Sequence, residues 1–342
     1  MRTLRLILAG FGVVGRGFVQ LLHDKQAYLR QAYELDMRLV GVGNSRHGFI
    51  YREEGLDLPT LLDLAQQPGR PLNKYPDCQR WESILSGLRE CHADILLEAI
   101  STNLRDAEPS LSHITTALRK GMHVVSANKG PGALAALDLL ALARQQGVQL
   151  RMEASVMAGT PVLSTLAEGM AGANVLSVRG ILNGTTNYIL SAMAEGREYA
   201  DVLAEAQAKG YAETDPTADV EGYDALAKTL ILAALVFHQQ LKPEQVARRG
   251  ITEVSLADIQ QAAQEGKRIK LIAMIRRVGD QLEASVAPQA LPLDEILARV
   301  NGSTNALVVQ SDTLAEVAII GPGAGAVETA QGMLADVLAC VK

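Results

Sequence analysis

Short apolar runs alternate with amphipathic stretches over residues 4–150 of the chain. The apolar runs have the length of buried strands, and the stretches between them carry apolar residues at the three and four spacing of helices. We predict strands at 4–9, 38–42, 93–98 and 123–126, and helices at 13–22, 108–119 and 132–146. Strands that alternate with helices predict an α/β fold with an N-terminal Rossmann-type, doubly wound sheet.

The pattern changes after Leu150, where longer helical stretches lie among fewer strands. We predict strands at 149–154 and 175–182 and helices at 184–195, 199–208 and 221–236. Two further strands, 269–276 and 281–286, flank Gly279 and Asp280, residues that tolerate the positive φ of a tight hairpin turn. The second half therefore predicts a separate α+β domain.

Composition limits the possible partners of the chain. A chain of 342 residues is longer than a single hydrophobic core usually stabilises, which predicts two domains, with three as the alternative. The net charge of −6 disfavours nucleic acid and anionic membranes, and an aromatic content of 4% leaves few stacking platforms for bases. We expect a small-molecule substrate.

The cellular location follows from several further observations. No run approaches the roughly 18 to 20 apolar residues that cross a bilayer, and the N-terminus lacks the apolar stretch and cleavage site of a signal peptide. Cys78, Cys91 and Cys340 are odd in number and unevenly spaced, so they predict neither a disulfide framework nor a zinc site. We expect a cytoplasmic protein with free thiols.

Gly10, Gly12 and Gly15 form the pattern G-x-G-x-x-G between a predicted strand and a predicted helix. In this context the pattern indicates a dinucleotide site, where the first glycine permits the turn, the second admits the pyrophosphate and the third allows close packing. The unpaired N–H groups of the helix N-terminus then meet the phosphates. The alternative is a glycine-rich turn that serves packing alone.

The end of the second strand bears on the choice of dinucleotide. An acidic residue there would bind the ribose 2′-hydroxyl of NAD, but the strand continues into Gly43, Asn44, Ser45 and Arg46. Arg46 could pair with a 2′-phosphate, and Asn44 and Ser45 could donate to it. We therefore favour NADP over NAD, with an ordinary surface arginine as the alternative.

Ionisable residues are concentrated in the segment GYAETDPTADVEGYDALAKTL, where five carboxylates precede Lys228. Its helix is expected to begin shortly after Asp215 and Pro216, which puts Asp224 and Lys228 on one face, four residues apart. As a surface ion pair they would contribute only about 0.3–0.5 kcal/mol. The functional alternative is a partly buried Lys228 that donates a proton to a carbonyl oxygen, with Asp224 orienting it and Glu213 binding an ammonium group.

Lys129 follows a predicted strand of the first domain, at the edge where a Rossmann sheet presents its ligand crevice. It could hold an anionic substrate group or assist proton transfer. A lone lysine at such a place is alternatively a solvated loop residue.

Six segments of the chain together resemble homoserine dehydrogenase along nearly its whole length. In order they are GFGVVGRG, ANKG, EASVMAGTPV, ILNGTTNYIL, GYAETDPTADVEGYDALAK and GPGAG. The fourth and fifth are specific to that family rather than to Rossmann proteins in general. The resemblance implies reversible reduction of L-aspartate 4-semialdehyde to L-homoserine with NADPH or NADH, a step towards threonine and methionine.

The resemblance also implies roles for residues at matching positions. Lys228 would be the proton donor, with Lys129 as a second catalytic candidate between cofactor and substrate. Substrate-binding positions would be Glu213, Asp219, Asp224, Asn183, Gly184 and Thr185. Dinucleotide-binding positions would be Gly10, Phe11, Gly12, Val13, Val14, Gly15, Asn44, Ser45, Arg46, Ser101, Ala127, Asn128, Lys129 and Gly325.

A loop for a monovalent cation, expected to be sodium, is implied at Glu153, Val156, Ala158 and Thr160. Its oxygen ligands would be mostly backbone carbonyls, which suit such an ion. Met157 and Thr160 depart from the family pattern, which more often has glycine and an aliphatic residue there.

The resemblance further implies a short form of the family, without a C-terminal regulatory domain. It implies a dinucleotide-binding domain at 1–135, to which a C-terminal helix at about 320–342 returns, and a catalytic and dimerisation domain at 136–319. A homodimer is expected.

Three other functions compete with this interpretation. A semialdehyde dehydrogenase would need a cysteine nucleophile, and no cysteine lies between Cys91 and Cys340. A catalytically silent dinucleotide sensor would have no need for Lys129, Glu213, Asp224 and Lys228 together. A related amino-acid oxidoreductase stays open.

Overall fold

A computed structural model of the chain describes residues 1–44, 48–67 and 71–341. The described chain forms two compact units. The first comprises Met1–Gly159 and the chain from Gly325 onward, and the second comprises Thr160–Ala324. The sequence predicted a domain boundary after residue 135, whereas the units divide after Gly159. The difference arises because the helix at Lys129–Gln145 spans residue 135, and the strand after it, Leu150–Arg151, pairs with the first sheet.

The first unit is built on a seven-stranded sheet with helices in the order expected for crossover connections. Its strands are β1 Arg2–Ala9, β2 Leu35–Asn44, β3 Gly48–Tyr51, β4 Gln79–Trp81, β5 Ile95–Glu98, β6 His123–Ser126 and β7 Leu150–Arg151. Its helices are α1 Val13–Tyr33, α2 Leu58–Ala65, α3 Ile84–Glu90, α4 Ser110–Arg119 and α5 Lys129–Gln145. The strand order is β4-β3-β2-β1-β5-β6-β7.

Parallel pairing runs from β2 through β1, β5 and β6 to β7, which confirms the predicted Rossmann-type sheet. Strands β3 and β4 were not predicted, and they extend the sheet by antiparallel pairing. Helix α1 runs to Tyr33, well beyond the predicted end at residue 22. Leu22 and Leu29, both 1% exposed, are seven residues apart and keep the same helix face buried to that point.

The second unit contains a six-stranded sheet and five helices. Its strands are β8 Val175–Ile181, β9 Ala247–Arg248, β10 Lys267–Val278, β11 Gln281–Pro292, β12 Thr304–Ser311 and β13 Glu316–Pro322. Its helices are α6 Gly184–Met193, α7 Tyr199–Ala208, α8 Thr217–Val220, α9 Tyr223–Phe237 and α10 Leu256–Gln264. The strand order is β13-β12-β8-β10-β11-β9.

The predicted hairpin of the second unit is confirmed and longer than expected. Strands β10 and β11 pair antiparallel from Val278 opposite Gln281 to Lys267 opposite Pro292. Gly279 between them adopts φ +60°, the left-handed conformation that the tight turn needs. Strands β12 and β13 were not predicted.

The last helix, α11 Ala326–Val341, belongs to the first unit. Its buried face joins the core that α1 and the sheet form, with Met333 and Val337 both 0% exposed. At the helix crossing, a Cβ on Gly17 would lie 2.9 Å from the Ala326 carbonyl oxygen, so the two backbones approach closely. Within the described residues, no helix is long and apolar enough to span a membrane.

Candidate active site

The turn between β1 and α1 has the geometry that its three glycines predict. Gly10 adopts φ +112°, and a Cβ there would overlap the Ala99 backbone. A Cβ on Gly15 would overlap the Gly10 carbonyl oxygen, so this glycine allows α1 to pack against the end of β1. Both positions therefore need glycine for the fold of the turn itself.

Gly12 differs from its two neighbours because no atom lies within 4 Å of where its Cβ would be. It is the N-cap of α1, and no side chain caps this helix end. Phe11 is buried, Val14 is half-buried and Val13 is 66% exposed. The turn thus offers backbone N–H groups, the helix dipole and open space, the combination that a pyrophosphate requires.

Asn44 is the last residue of β2 and is partly exposed. Ser45 and Arg46, the other two residues predicted to lie near the adenosine ribose, are outside the described residues.

Two loops follow the carboxyl ends of β5 and β6, where a Rossmann sheet binds its ligand. Asn128 caps α5 by accepting from the Gly130 N–H over 2.9 Å. Its Nδ2 atom donates to the Ser110 hydroxyl over 2.7 Å and reaches the carbonyl oxygens of Ile100 and Ser101 at 3.2 and 3.4 Å. The buried side-chain amide of Asn128 thereby joins both loops. Of the other residues predicted to contact the dinucleotide here, Ser101 is exposed and Ala127 is half-buried.

Glu98 lies beneath these loops and is 0% exposed. It accepts from the Ser110 hydroxyl over 2.9 Å, from the Ile100 N–H over 3.3 Å and from the Ser126 hydroxyl over 3.4 Å. Burial raises the pKa of the Glu98 carboxyl to about 7, against the lowering effect of these hydrogen bonds.

Lys129 is the first residue of α5, directly after Asn128, and its side chain is half-buried. Gly325 precedes α11 and adopts φ +130°, a conformation that L side chains rarely take. Its carbonyl oxygen accepts from the Thr329 N–H over 3.0 Å, in the first turn of that helix.

Three predicted substrate residues and the predicted proton donor Lys228 come together in the second unit. The Nδ2 atom of Asn183 donates to Asp219 over 2.7 Å and to Asp224 over 3.0 Å. The Nζ atom of Lys228 donates to the same Asp224 Oδ2 atom over 2.8 Å. Asn183 also caps α6, because its Oδ1 atom accepts from the Thr186 N–H over 2.9 Å.

The pair of Asp224 and Lys228 is largely buried, with side chains 15% and 8% exposed. The structure therefore excludes the alternative of a solvated surface ion pair. Burial also raises the pKa of the Asp219 carboxyl, and the neighbouring Asp224 charge adds to this, whereas the bond from Asn183 lowers it.

The remaining predicted substrate residues lie around this cluster in different ways. Gly184 begins α6, and a Cβ there would lie 2.7 Å from the Ser303 carbonyl oxygen. Thr185 donates from its hydroxyl to the Tyr211 carbonyl oxygen over 2.7 Å. Glu213 is exposed and lines a shallow surface depression together with Gln207, Ala212, Thr214 and Asp215.

The predicted cation segment has an unusual backbone. Met157 and Ala158 adopt φ +58° and +53°, so two consecutive residues other than glycine are left-handed. Glu153 and Val156 are buried. Thr160, in the other unit, donates from its hydroxyl to the Pro322 carbonyl oxygen over 2.8 Å. Within the described ranges, no group of three or more His, Cys, Asp or Glu side chains could hold a metal.

Three groups in the hydrogen-bond networks of the structure were not predicted from the sequence. The Leu182 carbonyl oxygen accepts from Lys228 over 2.6 Å, and no side-chain pattern encodes a backbone acceptor. Glu98 was assigned only to a strand, although its place at the carboxyl end of β5 was a usable signal. Lys270, 0% exposed on β10, stands in a run that looks like an ordinary strand.

Comparison with known proteins identifies relatives over nearly the whole chain. The model of the homoserine dehydrogenase NAD-binding domain matches residues 10–153, and the homoserine dehydrogenase model matches residues 161–338. An NAD(+)-dependent homoserine dehydrogenase of Pseudomonas canavaninivorans is 39% identical, with 99% of this chain and 96% of that protein covered. A homoserine dehydrogenase of Methanocaldococcus jannaschii is 37% identical, with 97% of each covered.

Comparison with solved structures identifies the same family. A solved hyperthermophilic archaeal homoserine dehydrogenase in complex with NADPH superimposes with a TM-score of 0.85 at 28% sequence identity. The match covers 99% of this chain and 98% of that one.

Proposed function

The chain belongs to the homoserine dehydrogenase family, and on that premise we propose that it reversibly reduces L-aspartate 4-semialdehyde to L-homoserine, as a step towards threonine and methionine. The observation that carries the proposal is the buried cluster of Asn183, Asp219, Asp224 and Lys228. A cation held by one carboxylate in a site shielded from water is suited to act on a carbonyl oxygen that gains negative charge.

The proposed chemistry divides between the dinucleotide and the side chains. A nicotinamide dinucleotide, when bound, supplies or accepts the hydride. Lys228 donates a proton to the substrate oxygen in the reducing direction and accepts it in the other, while Asp224 keeps the lysine oriented. Glu213 binds the amino group of the substrate, and Asp219, Asn183, Gly184 and Thr185 bind its polar end.

The open space at Gly12 supports the fit of a dinucleotide to the first unit, because a Cβ there would stand where the pyrophosphate is expected. Gly10, Phe11, Val13, Val14 and Gly15 form the rest of that turn. Ser101, Ala127, Asn128 and Lys129 lie on the loops after β5 and β6, where the nicotinamide end belongs, and we assign Gly325 to the same ligand. Lys129 is the second candidate for proton transfer.

We further propose that NADP is the preferred dinucleotide, although the relative from Pseudomonas canavaninivorans is an NAD(+)-dependent enzyme. The support is the sequence of β2, which ends at Asn44 without a carboxylate, followed by Ser45 and Arg46. Replacement of Arg46 by alanine should weaken NADPH binding more than NADH binding. Equal losses for the two dinucleotides would show that Arg46 does not recognise the 2′-phosphate.

We propose that a monovalent cation, sodium, binds the backbone carbonyls of Val156, Ala158 and Thr160 near Glu153. The support is the resemblance of this segment to the cation loop of the family, and the left-handed backbone at Met157 and Ala158 sets the segment apart from a regular helix or strand. Turnover and unfolding temperature should rise when sodium replaces a large organic cation at constant ionic strength.

We also propose a homodimer joined through the second unit. Leu176 and Ile320 of this unit are 41% and 52% exposed, and burial against a second copy would remove this apolar surface from water. Sedimentation velocity should give twice the mass of one chain, and charged substitutions at both positions should shift it towards the monomer.

A thiol mechanism finds no support in the three cysteines of the chain. Burial raises the pKa of Cys91 to about 11 and that of Cys340 to about 12, and it also raises the pKa of Cys78. A nucleophilic cysteine needs its thiolate near neutral pH. The semialdehyde dehydrogenase alternative is therefore disfavoured.

The decisive experiment follows NADPH and NADH absorbance with purified protein and either L-aspartate 4-semialdehyde or, in reverse, L-homoserine with the oxidised dinucleotides. Turnover with both substrates is the expected result. A folded protein that binds the dinucleotide but turns over neither substrate would overturn the proposal in favour of a sensor or another amino-acid substrate.

A further inference from the structure

Lys270 is a buried cation on β10, 0% exposed. Its Nζ atom donates to the Val300 carbonyl oxygen over 2.5 Å and to Asn187 Oδ1 over 2.8 Å, with Ser191 Oγ and Asn301 Oδ1 at 3.2 and 3.3 Å. None of these acceptors is a carboxylate. Burial lowers the pKa of Lys270 to about 7, with a smaller contribution from Arg268.

A lysine amine without a carboxylate partner is costly to bury whether it is charged or neutral, so its hydrogen bonds must offset the cost. A methionine would fill much of the same space without that cost. Packing alone therefore gives no reason for a lysine at this position, and its four acceptors indicate what the ammonium group holds in place.

The acceptors belong to two separate segments of the second unit. Asn187 and Ser191 lie one turn apart on α6, whereas Val300 and Asn301 precede β12. Lys270 thus ties the side of α6 to the segment 300–304. Asn187 strengthens the same connection, because its Nδ2 atom donates to Val300 O over 3.2 Å and to Thr304 O over 3.0 Å.

Helix α6 leads directly to the candidate substrate cluster. Its N-cap is Asn183, one turn before Asn187, and the Asn187 N–H donates to the Asn183 carbonyl oxygen over 3.3 Å. The Asn183 amide in turn donates to Asp219 and Asp224. A shift of α6 would therefore move the group that holds both carboxylates.

We propose that Lys270 is a positioning residue: by tying α6 to the segment 300–304 it fixes the Asn183 amide, and thereby sets the affinity for the amino-acid substrate. Lys270 acts through α6 and contacts no substrate. The inference rests on the proposed function for its kinetic consequence, but the order of α6 can be measured without turnover.

The test compares Lys270→Met with Lys267→Met. Lys267 begins the same strand, but it lies at the surface and donates to Glu265 over 2.9 Å. The measurements are kcat, KM for L-homoserine, NADP affinity by titration, and hydrogen exchange of peptides that cover residues 183–193. For Lys270→Met we expect KM to rise at least ten-fold, NADP affinity to stay within two-fold, and exchange at 183–187 to accelerate. Lys267→Met should match the parent in all four.

A Lys270→Met protein with the parental KM and parental exchange of α6 would overturn the proposal, as would a loss of stability with both values unchanged. If Lys270→Met does not fold, Ser191→Ala removes one acceptor at a smaller cost. It should raise KM two- to five-fold and accelerate exchange in α6, and parental values would again refute the inference. A parent without homoserine turnover would refute the proposed function, while hydrogen exchange would still decide on Lys270.

Discussion

The Nζ atom of Lys228 lies 2.6 Å from the carbonyl oxygen of Leu182, which joins α9 to the residue that precedes the N-cap of α6. The same ammonium group donates to Asp224 over 2.8 Å. Two of its three protons are therefore directed to partners within the second unit. In the proposed mechanism the third is donated to a substrate oxygen, and the two bonds orient the ammonium group for this step.

Replacement of Lys228 by methionine should lower kcat by a factor of about 10²–10⁴, the usual contribution of a positioned proton donor. NADP affinity should not change, because the glycine turn lies in the other unit. Steady-state kinetics and a fluorescence titration of NADPH measure the two quantities. Lys242→Met, at an exposed lysine of the second unit, is the control, and a kcat within three-fold of the parent in Lys228→Met would exclude a catalytic role.

The two functions of Asn183 can be separated by substitution. Asp is an equally good N-cap residue, so Asn183→Asp should keep α6 stable while it loses both amide donors and places a third carboxylate beside Asp219 and Asp224. We expect kcat/KM to fall at least a hundred-fold with a small change in unfolding temperature. Asn183→Ala should in addition lose about 1 kcal/mol of stability. Near-parental kcat/KM in Asn183→Asp would show that Asn183 serves only as a cap.

The glycines of the first turn should respond differently to alanine. Gly12→Ala should fold normally, because its Cβ meets no protein atom within 4 Å, yet it should weaken dinucleotide binding at least ten-fold. Gly15→Ala should instead destabilise the first unit, because its Cβ would overlap the Gly10 carbonyl oxygen. Calorimetric titration and thermal unfolding distinguish the two effects. Unchanged affinity in Gly12→Ala would favour a turn that serves packing alone.

Glu98 should make the stability of the first unit depend on pH. Its folded-state pKa of about 7 lies above the ordinary 4.5, so the folded state binds the proton more tightly. The stabilisation is fully present below about pH 4.5 and is lost as pH rises through about 7, with a total on the order of 3 kcal/mol. Glu98→Gln should remove this dependence.

The measurement for Glu98 is the unfolding temperature between pH 5 and pH 8. Glu98→Gln should gain stability relative to the parent as pH rises, whereas Glu90→Gln, at an exposed glutamate on α3, should follow the parent. Parallel curves for the parent and Glu98→Gln would contradict the prediction.

Patterns within a short stretch of sequence were sufficient to predict those helices and strands whose ends are marked by nearby residues. The strand at 123–126 and the helix at 199–208 lie at the predicted residues, because turn residues and apolar spacing define both ends. Strands β3 and β4 were missed, since they have only four and three residues and form by antiparallel pairing, β3 with β2 and β4 with β3. Such short strands have too few residues to show the alternation of apolar and polar positions that predicts a strand.

The sequence predicted which residues form the candidate site, but it did not predict how they are arranged. Spacing alone put Asp224 and Lys228 on one helix face, and family resemblance added Asn183 and Asp219. Lys270 was not predictable, because its acceptors lie 79 to 83 residues before it and 30 to 31 residues after it. No local pattern reports contacts between such distant segments.

The discontinuous first unit has a consequence for synthesis on the ribosome. Ala330, Met333, Leu334 and Val337 of α11 are buried in the same core as the helix and sheet of the N-terminal half. That core cannot close until translation has passed residue 337, whereas the second unit is one continuous segment. Because domains fold as units, residues 160–324 can finish folding while the earlier-made glycine turn still awaits its last helix. The unit that contains the N-terminus can thus be the last to complete its core.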